Sequence, residues 1–445
     1  MQSETSAGES VGPGSSWLHY LRPQLRCGVL QCNVLQRGSE LLAQRMPPPK
    51  VLLVANTSWY FYNFRLPLIQ DLRASGYAVE LVAPHDAYTA ELQRAGFTVH
   101  RWMVARRSIN PLLELRAIVD LLRVYQREQP TLVHHFTIKA CLYGTLAAKG
   151  ARVYRVVNAV TGLGHVFLGQ RKRTRLLRRA LRPLYRAVFS ARRSTVVFQN
   201  SDDQERLIKL GITEGERARL IRGSGVDVAF FSPEALELSQ DPTPVVPPGH
   251  FHHPLQLLFP ARLIREKGIA EVLSACRQLW ARGIALELLV SGELDSGNRS
   301  ALAPAELAVL RSEPRIRCLG HVQNMRALYA ASDIVVLPSW REGLSRSLIE
   351  AAAMERPIIT TDVPGCRDVV DHGRSGLLVP LRNPSAIELA ILLLLENPDL
   401  ACRIGKVARQ KVVAEFQVSL VNEQTLAQYQ LLLNPLKADA ASAQI

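Results

Sequence analysis

The sequence predicts an α/β protein built from two doubly wound domains, each a parallel sheet with helices on both faces. Its 445 residues are enough for about two or three domains with separate hydrophobic cores. From Val51 onward, short apolar runs alternate with helical patterns, which is typical of parallel strands joined by helices. The alternation starts again after a proline-rich stretch at 241–254, which is interpreted as a linker.

Each series of apolar runs gives six predicted strands. Those of the first series are 51–55, 78–83, 98–102, 132–135, 154–158 and 195–199, with helices at 66–75, 89–95, 111–128 and 140–150. Those of the second series are 255–260, 285–291, 316–319, 334–337, 357–361 and 376–379. The predicted domains are therefore 48–240 and 255–435, joined by the linker 241–254 and followed by a tail at 436–445. Ligands bind outside the carboxyl ends of strands in open parallel sheets, so the cleft between the domains is the expected site.

Residues 1–47 differ from the rest of the chain. They are rich in Ser and Gly at the start and lack the apolar region and small-residue cleavage site of a signal peptide. Met46 directly precedes the segment that leads into the first predicted strand. We interpret 1–47 as a disordered extension or one created by a misplaced start codon, with translation beginning at Met46 as the hypothesis.

The composition favours a globular protein of a reducing compartment. Hydrophobic residues make up 47% of the chain, yet no apolar run approaches the roughly 18 residues of a membrane-spanning helix. The seven cysteines are scattered and show no CxxC metal-binding spacing, which favours the cytoplasm.

The net charge of +15 is concentrated in one segment, 171–193. Between 151 and 201 the chain has no Asp or Glu, and apolar residues recur at helical spacing among the cations. The cations are Arg171, Lys172, Arg173, Arg175, Arg178, Arg179, Arg182, Arg186, Arg192 and Arg193. This pattern favours a basic amphipathic helix on an anionic membrane surface. Two alternatives stay open: a surface helix whose apolar stripe belongs to the core, and a nucleic-acid groove, for which no recognition motif is present.

The most specific motif is a pair of glutamates, Glu342 and Glu350, placed between a buried strand and the inside of a helix. Ser345 is a plausible N-cap of a helix at 345–353. The amides of Gly343, Leu344 and Ser345 would then face the cleft, where a helix start attracts phosphate.

The two carboxylates would lie about 12 Å apart at helical rise, beyond the roughly 5 to 9.5 Å of hydrolytic glycosidase pairs. Two acceptors flanking a phosphate cradle suit a long ligand with hydroxyls at both ends, such as a nucleotide sugar. The alternative is a helix cap beside a solvated glutamate.

The stretch 338–380 resembles the donor-site signature of glycosyltransferase family 4, the retaining enzymes with the GT-B fold. The shared features are Glu, seven residues, Glu; then the strand 357–361, the small-residue turn 363–366 and Gly-Leu-Leu-Val at 376–379. Arg262 and Lys267 resemble the family's Arg-x4-Lys-Gly element; the alternative is two surface cations. The resemblance covers roughly residues 50 to 435.

The resemblance implies a role for each of these residues. Arg262 and Lys267 would offset the charge of a leaving diphosphate, Glu342 would hold the sugar ring near its reacting carbon, and Glu350 would bind ribose hydroxyls. Gly292 and His321 would complete the donor site, although glycine at a turn is also routine. The chain has no D-x-D pair, and the family needs neither metal nor cofactor besides the UDP-sugar substrate.

The acceptor side is expected in the first domain. The loop after its first strand is aromatic, and Tyr60 and Arg65 are candidates for contacting a sugar or a phosphate; the alternative is a core beneath the loop. His135 and Lys139 follow another strand, with a structural histidine as the alternative. Gly162 and Gly164 lie in a turn before the basic segment and allow close backbone approach.

Together these acceptor-side motifs resemble family members that extend polyprenyl-diphosphate-linked sugars, some of which place a His where this chain has Ile138. The expected activity is retaining transfer of a hexose or N-acetylhexosamine from a UDP-sugar to such an acceptor, in polysaccharide or glycan biosynthesis. The enzyme would be peripheral at the inner face of the cytoplasmic membrane. The alternatives are a soluble acceptor, a UDP-GlcNAc 2-epimerase and a non-catalytic nucleic-acid-binding protein.

Overall fold

The computed structural model describes residues 47–434, except 106, 107, 109, 164–171, 192, 239, 240, 242, 244, 248, 296 and 299. The predictions made for 1–46, for Gly164 and for the tail at 436–445 lie outside the described residues.

The first half of the described chain forms a seven-stranded sheet in which every neighbouring pair is parallel. Its order is β3-β2-β1-β4-β5-β6-β7. The strands are β1 (Lys50–Val54), β2 (Ala78–Ala83), β3 (Val99–Arg101), β4 (Leu132–Phe136), β5 (Val156–Val160), β6 (Ser194–Phe198) and β7 (Ala218–Leu220).

The second half forms a six-stranded parallel sheet with the order β10-β9-β8-β11-β12-β13. The strands are β8 (Leu255–Pro260), β9 (Leu286–Ser291), β10 (Ile316–Gly320), β11 (Ile334–Leu337), β12 (Ile358–Thr361) and β13 (Leu377–Val379). The predicted fold class of two doubly wound domains is confirmed. The strand order reverses between β1 and β4 and again between β8 and β11, and such switch points are where open sheets bind ligands.

Helices cover both sheets. In the first half they are α1 (Leu66–Ala74), α2 (Thr89–Arg94), α3 (Pro111–Glu128), α4 (Ile138–Gly150), α5 (Lys172–Phe189) and α6 (Ser201–Lys209). In the remainder they are α7 (Pro233–Glu237), α8 (Ile269–Ala281), α9 (Pro304–Ser312), α10 (Met325–Ala330), α11 (Arg346–Ala353), α12 (Pro384–Glu396), α13 (Pro398–Glu415) and α14 (Val418–Leu433). A short helical turn, Ser58–Tyr60, and a π-helical turn, Phe61–Arg65, lead directly into α1.

All twelve predicted strands are present, with ends displaced by no more than two residues. The sequence analysis missed β7, which pairs with β6 at the edge of the first sheet. β7 has three residues and carries Arg219 at its centre. It is too short and too polar to stand out as an apolar run.

β1, in the middle of the first sheet, is buried and apolar on both faces. Val51 and Leu53 pack in one cluster, while Leu52 and Val54, which alternate with them, pack in a separate cluster. This burial on both faces explains why β1 is a continuous apolar run rather than an alternating pattern.

The last helix, α14, packs against the first half, although the sequence placed it in the second domain. Tyr429 and Val421 belong to a core cluster of the first sheet. The Tyr429 hydroxyl lies 2.7 Å from Nδ1 of His134, and Asn422 donates to Asp71 at 2.7 Å. The boundary drawn at 435 is therefore wrong for α14, because sequence periodicity does not show which core an amphipathic helix joins.

His135 is buried in the first half, together with a small polar network. Its ring nitrogens lie 3.0 Å from the Tyr125 hydroxyl and 2.8 Å from Oδ1 of Asn158. Burial lowers the pKa of His135 to about 4, so the ring is neutral in the folded protein near pH 7. A Cβ atom on Gly144 of α4 would lie 2.3 Å from the His135 ring, which explains a glycine inside this helix.

We expect Gly144→Ala to destabilise the protein by about 1–3 kcal/mol, because the added methyl group overpacks the His135 ring. Thermal or urea unfolding measures the effect. Gly215→Ala is the matched control, since a Cβ at Gly215 meets nothing within 4 Å. Equal stability of the two variants would contradict the packing described for His135.

Candidate active site

A cleft cavity of about 700 Å³ lies where the carboxyl ends of the two sheets face each other. Its volume is in the range of small-molecule sites. The second half contributes the loops that follow β8, β9, β10 and β11, and the first half contributes the aromatic loop and the ends of β5 and β6.

The donor turn, 341–345, joins β11 to α11. β11 is fully buried, and α11 begins at Arg346 with Ser345 at the N-cap, as the sequence predicted, although the Ser345 side chain makes no capping hydrogen bond. The amide of Ser345 donates to the Gly365 carbonyl at 3.4 Å. Of the three amides expected to be open, that of Ser345 therefore has a protein acceptor.

At Gly343 the donor turn closely approaches the backbone of the first half. A Cβ atom there would lie 2.2 Å from the Thr161 carbonyl oxygen, so the approach requires glycine. The Gly343 carbonyl accepts a 2.7 Å hydrogen bond from Asn200. Arg341, two residues earlier, donates to the buried carboxylate of Asp203 at 2.6 Å.

The two predicted cations line the cavity and are paired with carboxylates. Lys267 contacts Glu342, which also accepts a 2.7 Å hydrogen bond from Ser339. Arg262 donates to Asp295 at 2.6 Å and is about half exposed. Both cations are therefore placed where an anionic group in the cavity could reach them.

Glu350 lies behind the cavity wall, on the second turn of α11. One carboxylate oxygen accepts a 2.7 Å hydrogen bond from Arg346 and the other a 3.3 Å bond from the Tyr329 hydroxyl. Burial raises the pKa of Glu350, and the Arg346 charge opposes that rise. About 12% of the side chain stays accessible, and Glu350 is not itself part of the cavity lining.

The structure brings most of the predicted donor residues to one cavity. Besides Arg262, Lys267 and Glu342, the lining contains Gly292, His321, Gly343, Leu344 and Ser345. The loop carrying Gly292 packs tightly on the loop after β8, because a Cβ at Gly292 would lie 2.0 Å from the Ala261 carbonyl oxygen.

The aromatic loop, 59–64, has a mixed environment. Trp59, Tyr60 and Phe64 line the cavity. Phe61 is fully buried and Tyr62 packs against Tyr88 at 5.3 Å. Both the ligand-facing interpretation and the core interpretation are therefore partly correct.

Arg65 does not face the cavity, contrary to its proposed contact with an acceptor phosphate. It is 4% exposed, donates to the Gly223 carbonyl at 3.1 Å and to the Tyr60 hydroxyl at 3.0 Å, and lies 4.7 Å from the centre of the Phe136 ring. Arg65 instead fastens the aromatic loop to the segment at Gly223.

Two other acceptor-side predictions also change. His135 is fully buried and bonded to Tyr125 and Asn158, so it cannot orient an acceptor hydroxyl. The Lys139 amine is held by the carbonyls of Ala105 and Ser108 and by Glu114, outside the cavity lining. His135 lies within β4 and Lys139 in the first turn of α4, and neither residue is part of the cavity lining.

The turn before the basic segment reaches the cavity with only part of its residues. Gly162 is half-buried and is not part of the cavity lining, whereas its neighbour Thr161 is. Gly164 lies outside the described residues.

Several lining residues were missed by the sequence analysis: Gln199, Ser224, Asp295 and Arg346. Gln199 follows β6 directly, and the Gly223-Ser224-Gly225 turn has two glycines with positive φ. A strand end and a double-glycine turn are signals that could have placed these two segments at the cleft. Arg346 lies within the glutamate motif, where its spacing carries no signal.

Within the described residues, one group of His and carboxylate side chains has ligand atoms close enough to share a metal ion: Glu80, His100 and Glu128. Lys50 is already paired with both carboxylates, at 3.0 and 2.9 Å. Hydrogen bonds from Arg127 and Lys50 lower the pKa of Glu128 to about 2. The group is not part of the cleft lining, and its carboxylate charge is offset by these cations.

Both halves of the chain match models of known enzyme domains. Residues 50–201 match the domain described as glycosyl transferase 4-like, and residues 254–397 match the domain described as glycosyl transferases group 1. The chain belongs to the GT-B glycosyltransferases. The resemblance of 338–380 to a glycosyltransferase donor-site signature is thereby confirmed.

Named relatives align over most of this glycosyltransferase. The N,N'-diacetylbacillosaminyl-diphospho-undecaprenol alpha-1,3-N-acetylgalactosaminyltransferase of Campylobacter jejuni is 26% identical, covering 83% of this chain and 95% of that protein. The capsular polysaccharide biosynthesis glycosyltransferase CapM of Staphylococcus aureus is 24% identical, covering 74% and 84%. The crystal structure of Anabaena HepE with UDP and glucose superimposes with a TM-score of 0.65 at 17% identity, covering 86% and 99%. That structural likeness supports the fold.

We expect Lys267→Ala to lower kcat/KM for glycosyl transfer by at least about 100-fold, corresponding to about 3 kcal/mol, because it removes a charge that contacts Glu342 and faces the cavity. Arg265→Ala is the matched control. Arg265 is two positions away but pairs with the exposed Glu306 outside the cavity lining. The assignment of Lys267 fails if both variants turn over at the wild-type rate.

Proposed function

We propose that this glycosyltransferase moves a hexose or N-acetylhexosamine, with retention of configuration, from a UDP-sugar to a polyprenyl-diphosphate-linked saccharide in polysaccharide or glycan assembly. The observation that carries the proposal is the convergence of Arg262, Lys267 and the start of α11 on one cavity, with Glu342 and Glu350 flanking that helix start.

The donor half suits a sugar linked to a nucleoside diphosphate. Arg262 and Lys267 supply positive charge for phosphate oxygens, and the backbone of Gly343 and Leu344, just before α11, would supply amide donors. Glu342 has carboxylate oxygens for sugar hydroxyls at one end, and Glu350 has them for ribose hydroxyls at the other. These groups would offset the diphosphate charge without a divalent metal.

In the proposed reaction, the bond between the sugar's anomeric carbon and the donor phosphate oxygen breaks while the acceptor hydroxyl attacks from the same face. The hydroxyl proton passes to the departing phosphate oxygen, so UDP leaves and the new glycosidic bond keeps the donor's configuration. Arg262 and Lys267 stabilise the charge that develops on the diphosphate.

The acceptor class is supported by the C. jejuni relative, whose name specifies a diphospho-undecaprenol substrate, and by the capsular function in the name of CapM. Trp59, Tyr60 and Phe64 give the acceptor side of the cavity an aromatic wall. Aromatic faces stack on sugar rings and tolerate a lipid chain.

Such an acceptor requires contact with a membrane. None of the helices in the described part of the chain has the length and apolar character needed to cross a bilayer. The proposal places the enzyme at the cytoplasmic face as a peripheral protein because its net positive charge would attract it to anionic lipids.

The basic helix α5 is buried at its end and exposed near its start. Tyr185, Val188 and Phe189 near its end are buried in the core, whereas Leu176 and Leu177 near its start are 69% and 49% exposed. The core interpretation therefore applies to the end of the helix. The exposed start, with Arg175, Arg179 and Arg182 also exposed, is the part available to a membrane.

The start of α3 adds apolar surface to this side of the protein. Leu112, Leu113 and Leu115 are 76%, 43% and 58% exposed. α3 and α5 both pack on α4, and both follow strands that end at the cleft. The exposed leucines of the two helices therefore lie at the cleft end of the first half, as a lipid-linked substrate requires.

A panel of UDP-sugars, with purified protein and no added metal, tests the proposed reaction. We expect UDP release to rise only when one sugar donor is combined with a polyprenyl-diphosphate saccharide. Release stimulated by a water-soluble saccharide instead would contradict the acceptor. Activity only with GDP- or ADP-sugars would contradict the donor, and dependence on added Mg²⁺ would contradict the proposed charge stabilisation.

Sedimentation with vesicles containing anionic lipids tests the membrane surface. We expect Arg175→Gln combined with Arg179→Gln and Arg182→Gln, and separately Leu112→Ser with Leu115→Ser, to reduce vesicle binding several-fold while UDP-sugar hydrolysis in detergent stays unchanged. High salt should release the wild type. Leu389→Ser with Leu393→Ser is the control, since these exposed leucines lie on α12 of the second half. An equal loss of binding in the control variant would contradict the surface.

A further inference from the structure

Among the residues that the structure describes, Arg346 contacts both the buried glutamate of the donor site and the aromatic loop of the other half. Its Nε donates to Glu350 at 2.7 Å, and its Nη1 contacts the Asn63 carbonyl oxygen. The guanidinium lies 5.0 Å from the centre of the Phe64 ring. Arg346 also lines the cavity, with 31% of its side chain exposed.

The geometry of Glu350 shows what these contacts leave for a ligand. An ionised carboxylate has about four acceptor positions. Arg346 takes one on the first oxygen, and the Tyr329 hydroxyl, whose single proton is shared with the Ser347 carbonyl oxygen at 3.1 Å, faces the second at 3.3 Å. The described residues therefore leave at least about two positions without a donor, which suits the two neighbouring hydroxyls of a ribose. A protonated Glu350 would lose one of them.

We propose that Arg346 is a positioning residue that keeps Glu350 charged and oriented for ribose hydroxyls and fastens the aromatic loop to the same helix. Arg346 therefore contacts both Glu350, at the proposed nucleoside end of the donor site, and the aromatic loop, on the proposed acceptor side. The inference rests on the proposed nucleotide-sugar function and assigns a role to a residue that the donor motif leaves undefined.

Among the described groups around Glu350, Arg346 is the positively charged partner. Tyr329, from α10, is neutral because burial holds its pKa well above the usual value. α13 packs along α11, but its Arg409 reaches the Ala353 carbonyl and Glu355 near the end of the helix. Burial already raises the pKa of Glu350, and without Arg346 it would rise further.

The proposed role of Arg346 predicts how the affinity for the nucleotide changes with pH. If ribose binding needs ionised Glu350, affinity falls as the pH drops through the pKa of that carboxyl group. Removing the Arg346 charge raises the pKa, so the fall begins at a higher pH. A tenfold loss of affinity corresponds to each pH unit below the pKa.

Calorimetric titration with UDP from pH 5.5 to 8.5 measures this effect. We expect Arg346→Gln to bind UDP at least about tenfold more weakly than wild type at pH 6, with a clearly smaller deficit at pH 8.5. Arg346→Lys should restore the wild-type pH profile because it restores a positive charge. In a Glu350→Gln background, Arg346→Gln should cause no further pH-dependent loss. A deficit that is the same at every pH overturns the role in ionisation.

Hydrogen exchange of residues 58–65 tests the contact with the loop. Arg346→Gln and Arg346→Lys should both exchange faster there than wild type, since a lysine ammonium cannot form the fork that reaches Glu350 and Asn63 together. Arg367→Gln is the control. It removes another pair between the halves, with Asp202 at 3.5 Å, that does not contact Glu350. Unchanged exchange in both Arg346 variants overturns the link.

The titrations also separate this inference from the proposed function. If wild-type protein binds GDP or ADP but not UDP, the choice of donor nucleotide is wrong. The same variants titrated with the nucleotide that binds then test Arg346 by the same pH comparison. If no nucleoside diphosphate binds at any pH, both the proposed donor and the role of Arg346 are overturned.

Discussion

The active cleft depends on the contact between the donor turn and the first half of the protein. Gly343 approaches the Thr161 carbonyl so closely that a methyl group has no space, and Asn200 and Asp203 bond to the turn on either side of Glu342. These contacts come from the ends of β5 and β6 and from the start of α6. Because parallel strands in one sheet all end at the same edge, a few short loops bring the two halves together there.

Charge in the cleft is arranged in pairs rather than as a uniform patch. Lys267 contacts Glu342, Arg262 pairs with Asp295, and Arg346 pairs with Glu350. An arriving diphosphate can draw on Arg262 and Lys267 while hydroxyl groups approach the carboxylates. The pair of Lys267 and Glu342 lies at the cavity and combines a cation suited to phosphate with an acceptor suited to a sugar hydroxyl, which is the combination that the proposed nucleotide-sugar function requires.

The fold, and the residues that line the second half of the cavity, could be predicted from local sequence. β8 and β11 are continuous apolar runs bounded by turns, and their predicted limits match the structure. Glu342, Arg262 and Lys267 follow such strands within a few residues, and the topology of a parallel sheet brings these positions to one edge. Residues that lie close to a strand end on the second half therefore reached the cavity as expected.

The acceptor side could not be predicted in this way, because the direction of a side chain depends on partners that are distant in sequence. His135 turns inward because Tyr125 and Asn158 bond to it and Gly144 leaves space for its ring. Arg65 is buried because the carbonyl of Gly223, 158 residues away, accepts its hydrogen bond. α14 returns to the first half because Tyr429 and Val421 complete its core.

Arg346 lines the cavity but was missed by the sequence analysis. Within the motif it occupies one of seven unspecified positions, so sequence spacing gives it no weight. Its importance comes from the neighbour one turn later, Glu350, and from the backbone of Asn63 in the other half. Burial alone would favour a neutral Glu350, and a cation at this position is the simplest means by which the chain opposes that tendency. A motif identifies the groups that contact the ligand, whereas the residues that keep those groups charged and aligned follow from the structure.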